Sequence, residues 1–326
     1  MSIISSYTRG FKQSIKSPRM LLILYAVNLL SALILVLPFF QLFRNSSANT
    51  LEVNKLVDNF NFSYFVDLWY TSKDAFISLF SQIKWIVLLY WILNVFLIGG
   101  IIRVLSKEKF SISDFLSGAS LNFARFLGSN LLIVFLQIIL AAIIWIPFYI
   151  GIKILFDSID NEKVIIILFF SFLILHALAA IVLMMINDYA KFHLILNNSK
   201  NIFKAVYASA KFVKSKFFSV YSLYLLLLII PVVISYLYLK LSGDIGITTV
   251  IGLIFMFLIQ QFYIFTKVWL KVWFYASQFN LFTSDFIKKE RHKLNIDFIE
   301  NIEDKLIEIK DKILNTDSET EEEAVG

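Results

Sequence analysis

Six separate stretches of this chain are long and apolar enough to cross a bilayer, and this pattern restricts the fold more than any other feature. The hydrocarbon core of a membrane requires about 20 apolar residues in a helix. Because the strands of a β-barrel would appear as shorter segments of alternating polarity, the pattern predicts an all-α membrane protein with six transmembrane helices. The predicted spans are 20–43, 83–105, 127–156, 164–187, 218–240 and 247–274.

The amino-acid composition agrees with a membrane location and excludes the functions that require cysteine. Hydrophobic residues make up 59% of the chain and charged residues 17%, which lies outside the usual range of soluble domains. The absence of cysteine excludes disulfides, thiolate nucleophiles and cysteine-ligated metals. The three histidines lie far apart in sequence. We therefore expect no metal site and no cofactor.

One motif occurs three times: a basic amphipathic run leads into an apolar span that carries a proline near its far end. A second apolar span closes each unit. This repetition predicts three pseudo-repeated helical hairpins with cytoplasmic interfacial helices. The three basic runs are Gly10–Arg19, Leu116–Arg125 and Ala208–Lys216, and the three prolines are Pro38, Pro147 and Pro231.

The distribution of basic residues predicts the orientation. Segments 1–19, 103–125 and 188–216 together carry 14 Lys and Arg, whereas the opposite connections 44–84, 153–163 and 240–244 carry 7. Because lysine and arginine concentrate on the cytoplasmic side, both termini are expected in the cytoplasm and the protein in the cytoplasmic (inner) membrane. Basic residues at the ends of spans favour anionic lipid headgroups over nucleic acid as partners.

The first span could also be a cleaved signal peptide, since its start is basic. Its length, 20–43, exceeds the usual apolar region of such peptides, and it opens the first repeat, so we interpret it as a retained helix.

The full layout predicted from the sequence has five parts. Polar turns with capping residues are expected at Ser111 or Ser113, at Asn198–Ser199 and at Thr283–Ser284. The parts are a basic cytoplasmic helix (1–19), the membrane domain (20–282), an outer connection within it (44–82), a cytoplasmic amphipathic tail helix (283–314) and an acidic disordered end (315–326). The outer connection is interpreted as an interfacial helix or a partner-binding cap.

The helix predicted after the second turn has an apolar stripe at spacings of three and four. Its lysines lie mostly off the stripe, which suits either a helix at the lipid interface or a helix packed on the ends of other spans. The stripe consists of Ile202, Ala205, Val206, Ser209, Phe212 and Val213.

One segment resembles a known family. An Asp-Tyr-Ala ending to a span, a short polar turn and a helix containing Lys-Phe-Val-Lys follow one another within Asp188–Lys216. This arrangement resembles uncharacterised bacterial six-helix integral membrane proteins, which are similar to the membrane domain attached to some glycerophosphodiester phosphodiesterases. The resemblance implies the fold and the membrane location. It does not imply phosphodiesterase activity, because the chain contains no soluble segment of catalytic size.

Four ionisable residues near the inner ends of spans are candidate binding residues, because charge at membrane depth is costly and often functional. Asp188 and Lys191 are three residues apart and form either an ion pair that fixes the turn or part of a site. Lys267 and Lys271 share one helix face and either extend to the interface or bind an anion such as a lipid phosphate.

Three polar residues on separate spans, His176, Gln137 and Asn94, are candidates for a polar path. Such residues form either interhelical hydrogen bonds or, with His176 as a proton relay, a route through the membrane.

The tail carries a short heptad seam that predicts association with a protein partner or with a second copy of the chain. Its apolar residues are Ile299, Ile302, Leu306, Ile309 and Ile313.

No phosphate-binding glycine loop, zinc-binding histidine pair or nucleophile elbow occurs in the sequence. The sequence therefore favours a non-enzymatic membrane protein that engages lipids or protein partners at the cytoplasmic face. The alternative is a transporter or permease with a polar path between the pseudo-repeats.

Overall fold

The computed structural model describes residues 2–47, 62–107, 110–155, 162–197, 199–245 and 249–323, with most of their side chains described up to Arg291. Over these residues the chain is almost entirely α-helical. Numbered in chain order, the helices are α1 (Ile3–Ile15), α2 (Pro18–Ser47), α3 (Phe62–Thr71), α4 (Lys73–Leu105), α5 (Ile112–Leu155), α6 (Glu162–Leu196), α7 (Ile202–Ser215), α8 (Phe217–Asp244) and α9 (Val250–Glu323).

Six of these helices are long and apolar enough to cross a membrane, which confirms the predicted six-helix, multi-pass architecture. Two of them begin well before the predicted spans. Helix α5 begins at Ile112 and not near 127, because the basic run before that span continues the same helix, and α4 begins at Lys73 and not near 83. The apolar segments are Pro18–Gln41, Lys73–Leu105, Ile112–Ile154, Lys163–Leu196, Phe217–Gly243 and Val250–Arg291.

Local sequence explains where the short helices start. The hydroxyl of Ser2 accepts a hydrogen bond from the backbone N–H of Ser5 at 3.2 Å and caps α1. The side chain of Asn201 caps α7 in the same way, through the N–H of Lys204 at 3.0 Å. Pro18 begins α2, at the one helical position where its missing N–H costs nothing.

The turn predicted at Thr283–Ser284 is wrong, because α9 passes through both residues without a break. Their hydroxyls donate to carbonyls of their own helix, Thr283 to Phe279 at 2.8 Å and Ser284 to Leu281 at 2.9 Å. Serine and threonine satisfied in this way do not cap a new helix. The separate tail helix therefore continues the sixth span, and α9 runs to Glu323, past the boundary predicted at 315.

Two predicted features fall partly or wholly outside the described residues. In the outer connection, residues 48–61 are not described, and the remainder forms the end of α2, all of α3 and the start of α4. The side chains of the tail seam, Ile299, Ile302, Leu306, Ile309 and Ile313, also lie outside the described part of the structure, although the backbone there is helical.

The six spanning helices pack in chain order, and the last returns to the first. Thus α2 packs against α4, α4 against α5, α5 against α6, α6 against α8, and α8 against α9, which in turn packs against α2. Helix α9 also contacts α4 and α6. Its side chains therefore meet residues from most of the bundle.

The largest buried apolar cluster lies at one end of the bundle, which we call the packed end, and a small one joins α3 to the start of α4. The packed end contains the first turns of α2, α5 and α8 and the last turns of α4 and α6, as expected for alternating helix directions. Away from it, long stretches of α2, α5, α6 and α8 expose apolar side chains, as lipid-facing surfaces do. Representative core residues are Leu24, Ile101, Phe126, Met185, Leu223 and Val272.

Three short basic segments pack across the last turns of spanning helices at the packed end. Helix α1 lies on α9, the start of α5 lies on α4, and α7 lies on α6. The apolar stripe of α7 is buried in these contacts, with Ser209 and Val213 almost inaccessible. The stripe thus packs on other spans, and the lipid-interface interpretation, which is compatible with this packing, stays a prediction.

Candidate functional site

Two lysines project from one face of α9; Lys271 is partly buried in the bundle and Lys267 is exposed. Lys267 and Lys271 are four residues apart, and this spacing places them one above the other on the helix surface. The ammonium of Lys271 donates a hydrogen bond to Asn94 Oδ1 on α4 at 2.6 Å. The ammonium of Lys267 lies 5.2 Å from the ring centroid of Tyr263. Among the described residues, neither lysine has a carboxylate within 4.0 Å.

A compensated ion pair lies nearby on α6. Lys191 Nζ is 3.0 Å from Asp188 Oδ1, and their side chains are only 3% and 10% exposed. The same ammonium lies 5.9 Å from the ring of Tyr275 on α9. Burial strengthens this pair and makes it a fixed part of the packing, because neither charge can be solvated separately.

Two clefts flank α9, and both are lined by Lys267 and Lys271. The α2–α4–α9 cleft has a volume of about 470 Å³, and the α6–α8–α9 cleft one of about 400 Å³. Either volume lies in the range of small-molecule sites, and each cleft combines apolar walls with a few polar groups. The lysine pair is thus reached from both sides of one helix.

The polar part of the α2–α4–α9 cleft is connected by hydrogen bonds. The Nδ2 of Asn94 donates to the backbone carbonyl of Tyr90 at 2.8 Å, and the Tyr90 hydroxyl donates to Asn28 Oδ1 at 2.5 Å. Together with the bond from Lys271 to Asn94, these contacts form a polar strip from α9 to α2. Ser31, one turn from Asn28, also lines this cleft.

The α6–α8–α9 cleft has a different electrostatic character. Its lining includes the carboxylate of Asp188 beside the two lysines. The aromatic side chains of Tyr224 and Tyr275 complete its wall, and both are nearly buried. A negative charge in this cleft would therefore face a carboxylate as well as the lysines.

The structure brings the four candidate ionisable residues to one region. Asp188, Lys267 and Lys271 line the same cleft, and Lys191 is joined to it through its ion pair. The residues that the sequence interpretation missed are Asn28, Ser31 and Tyr90. The spacing of Asn28 and Ser31 on an apolar span was a usable signal, since residues three apart share a helix face.

The three residues proposed for a polar path lie in two places. Asn94 belongs to the α2–α4–α9 cleft. Gln137 on α5 donates to the carbonyl of Ala180 on α6 at 3.2 Å. His176 lies against Trp145, with ring centroids 6.3 Å apart, and neither His176 nor Gln137 lines either of the two clefts. Gln137 thus makes an interhelical hydrogen bond between α5 and α6.

The lysine region is suited to holding an anion beside an apolar group. Within the described part of the chain, no group of three or more histidines or carboxylates is placed to hold a metal ion.

Comparisons with protein-family models, curated proteins and solved structures find no match to this chain.

Proposed function

We propose that this protein is a non-enzymatic membrane protein that binds the phosphate group of a lipid at Lys267 and Lys271. The observation that carries the proposal is that both lysines line apolar-walled clefts without an ion-pair partner among the described residues. A cation inside a membrane bundle is costly unless an anion accompanies it, so the site favours a negatively charged ligand.

The ammonium groups of the two lysines retain N–H donors for a ligand. An ammonium group carries three N–H donors, and Lys271 uses one of them on Asn94. Hydrogen bonds between charged groups are about twice as strong as those between neutral groups. Two such donors on one helix face can hold one phosphate between them.

The apolar walls favour a lipid over free phosphate. Leu35, Ile86, Val87 and Ile264 line the α2–α4–α9 cleft next to the lysines. An acyl chain comes from an apolar environment and packs on this surface without losing hydration, whereas a free phosphate ion would lose its hydration on entering the cleft.

Native mass spectrometry of the purified protein tests this function. Lys267→Gln with Lys271→Gln is expected to reduce the retained phospholipid at least about tenfold, since one lost charge-assisted hydrogen bond has that effect on an equilibrium constant. Lys153→Gln with Lys240→Gln is the matched control, because it removes two exposed lysines elsewhere on the bundle. Equal retention by all variants, or displacement of the lipid by inorganic phosphate, would contradict the proposal.

A transporter is the second candidate, and one observation favours it: the same two lysines are reached from clefts on both sides of α9. A ligand held there could leave by the cleft opposite the one it entered. Transfer of a fluorescent phospholipid between the leaflets of vesicles containing the protein would distinguish transport from binding alone.

The orientation and the internal repeat are part of the same proposal. We infer that the packed end faces the cytoplasm of a bacterial cell, because the three basic segments lie there.

A threefold hairpin repeat is supported by parallel contacts: Gln13 bonds to the carbonyl of Leu105 on α4, Arg125 to that of Leu194 on α6, and Lys216 pairs with Asp285 on α9. In each unit, a basic segment thus reaches the end of its own returning span. The resemblance to the six-helix bacterial family stays a proposal of the same kind.

The tail is proposed to bind a partner. The backbone of α9 continues as a helix well past Arg291, and its sequence there carries the heptad seam. An isolated helix with a narrow apolar seam is stabilised by association, so a second copy or another protein is the expected partner. The same mass spectra report the stoichiometry.

A further inference from the structure

The two clefts beside α9 differ in charge although they share the same lysines. The α6–α8–α9 cleft contains the carboxylate of Asp188, whereas no carboxylate of the described residues lines the α2–α4–α9 cleft. The charge of Asp188 is compensated by Lys191, but its oxygens are acceptors and offer a phosphate no hydrogen bond. A phosphate in the α2–α4–α9 cleft meets only cations and neutral groups among the described lining residues. The α2–α4–α9 cleft is therefore the more favourable side for a ligand with net negative charge.

A zwitterionic headgroup fits this cleft poorly. Its ammonium group would lie close to Lys267 and Lys271 with no carboxylate in the lining to receive it. Like charges at such distances repel, and an unpaired ammonium loses hydration on entering. The lining thus selects against phosphoethanolamine and phosphocholine groups.

The polar strip of the cleft fits hydroxyl groups. Asn28 donates one N–H to the carbonyl of Leu24, and Asn94 one to that of Tyr90, so each amide retains a second N–H. The hydroxyl of Ser31 donates to Val27 and keeps its acceptor lone pairs. A hydroxyl both donates and accepts, and the strip offers it both kinds of partner.

We propose that the α2–α4–α9 cleft is a selective site for an anionic phospholipid with a hydroxylated headgroup, of the phosphatidylglycerol class. Its phosphate lies at Lys267 and Lys271, and its glycerol hydroxyls bond to Asn28 and Ser31. Asp188, which lines the α6–α8–α9 cleft, makes that cleft the less favourable of the two for the phosphate. This inference rests on the proposed function, because it requires that the lysines bind phosphate.

Competition between three lipids tests the selectivity. The purified protein is supplied with equal amounts of phosphatidylglycerol, phosphatidylmethanol and phosphatidylethanolamine, and retained lipid is counted by native mass spectrometry. Phosphatidylmethanol carries the same single negative charge without hydroxyls, and phosphatidylethanolamine is zwitterionic. The expected order of retention is phosphatidylglycerol, then phosphatidylmethanol, then phosphatidylethanolamine.

Two variants test whether Asn28 and Ser31 cause the preference for phosphatidylglycerol. Ser31→Ala, and Asn28→Leu with Ser31→Ala, are expected to lower the preference for phosphatidylglycerol over phosphatidylmethanol about three- to tenfold, the effect of one or two hydrogen bonds. Gln261→Leu is the control. Gln261 on α9 accepts a hydrogen bond from Tyr25 on α2, two helices that form the cleft, but Gln261 does not line the cleft. The single Ser31→Ala variant keeps the test valid if the double variant does not fold.

The outcomes separate this inference from the proposed function. If Lys267→Gln with Lys271→Gln lowers retention of both anionic lipids while wild-type protein retains phosphatidylglycerol and phosphatidylmethanol equally, the selectivity is wrong and phosphate binding stands. Equal retention of phosphatidylethanolamine would also overturn the selectivity. Unchanged retention by the lysine variant overturns both.

Discussion

Asp188 and Lys191 stabilise each other's charge within the bundle, although Asp188 also lines the α6–α8–α9 cleft. The salt bridge is 3.0 Å long and both side chains are almost fully buried, so removing either partner leaves an uncompensated charge. The lysines of α9 differ, since neither has a carboxylate within 4.0 Å among the described residues. The same residue type is therefore part of an ion pair at one position in the bundle and a proposed ligand-binding residue at another.

Asp188→Asn is expected to destabilise the protein by about 3–5 kcal/mol, because Lys191 then remains buried without a counter-charge. Thermal unfolding in detergent measures the loss. Asp188→Leu with Lys191→Met should recover most of it, since both charges are then absent. Asp114→Asn removes the exposed ion pair between Lys107 and Asp114 and serves as the control, with an expected cost of about 0–1 kcal/mol. A loss in Asp188→Asn no larger than in this control would contradict the prediction.

Among the elements, α1 is held to α9 by close backbone approach and by aromatic contacts. Tyr7 and Trp273 have ring centroids 4.8 Å apart, and Trp273 Nε1 donates to the carbonyl of Tyr7 at 3.1 Å. A further hydrogen bond of 3.0 Å runs from Trp269 Nε1 to the hydroxyl of Ser14. This interface brings the start of the chain to the last spanning helix.

Gly10→Ala is expected to loosen α1 from α9 at a cost of about 1–3 kcal/mol, the usual effect of overpacking. A Cβ at Gly10 would lie 2.5 Å from the backbone nitrogen of Ser277, and a backbone atom cannot move aside as a side chain does. Gly151→Ala is the control, because no atom of the described residues lies within 4 Å of its added Cβ. Unfolding temperature and the emission of Trp269 and Trp273 report the change. An unchanged emission spectrum in Gly10→Ala would mean that α1 stays in place.

For the whole molecule, the charge asymmetry of the connections predicts which end faces the cytoplasm. The chain contains no cysteine, so single cysteines can be labelled without background. A membrane-impermeant maleimide should label Lys153→Cys on intact cells and Lys214→Cys only after permeabilisation, because lysine-rich segments stay on the cytoplasmic side. The wild-type protein is the unlabelled control. The reverse labelling would place the packed end outside the cytoplasm.

The sequence predicted the six spans correctly because each depends on local properties, length and apolar content, which a helix satisfies by itself in lipid. It failed at Thr283–Ser284, where the same residues can either cap a helix or bond back to it. The alternatives for the stripe of α7 also stayed open. A single apolar face fits a lipid surface and a protein surface equally well.

The sequence by itself determined the helical class, the number of spans and the types of charged residue available to a site. Only the tertiary structure decided which of them meet: Lys271 with Asn94, Tyr90 with Asn28, and α1 with α9. The physical reason is range. The length and apolar content of a span are properties of one segment and are visible in the sequence. A contact between two polar side chains on different spans depends on how the helices pack, and no local sequence pattern predicts it.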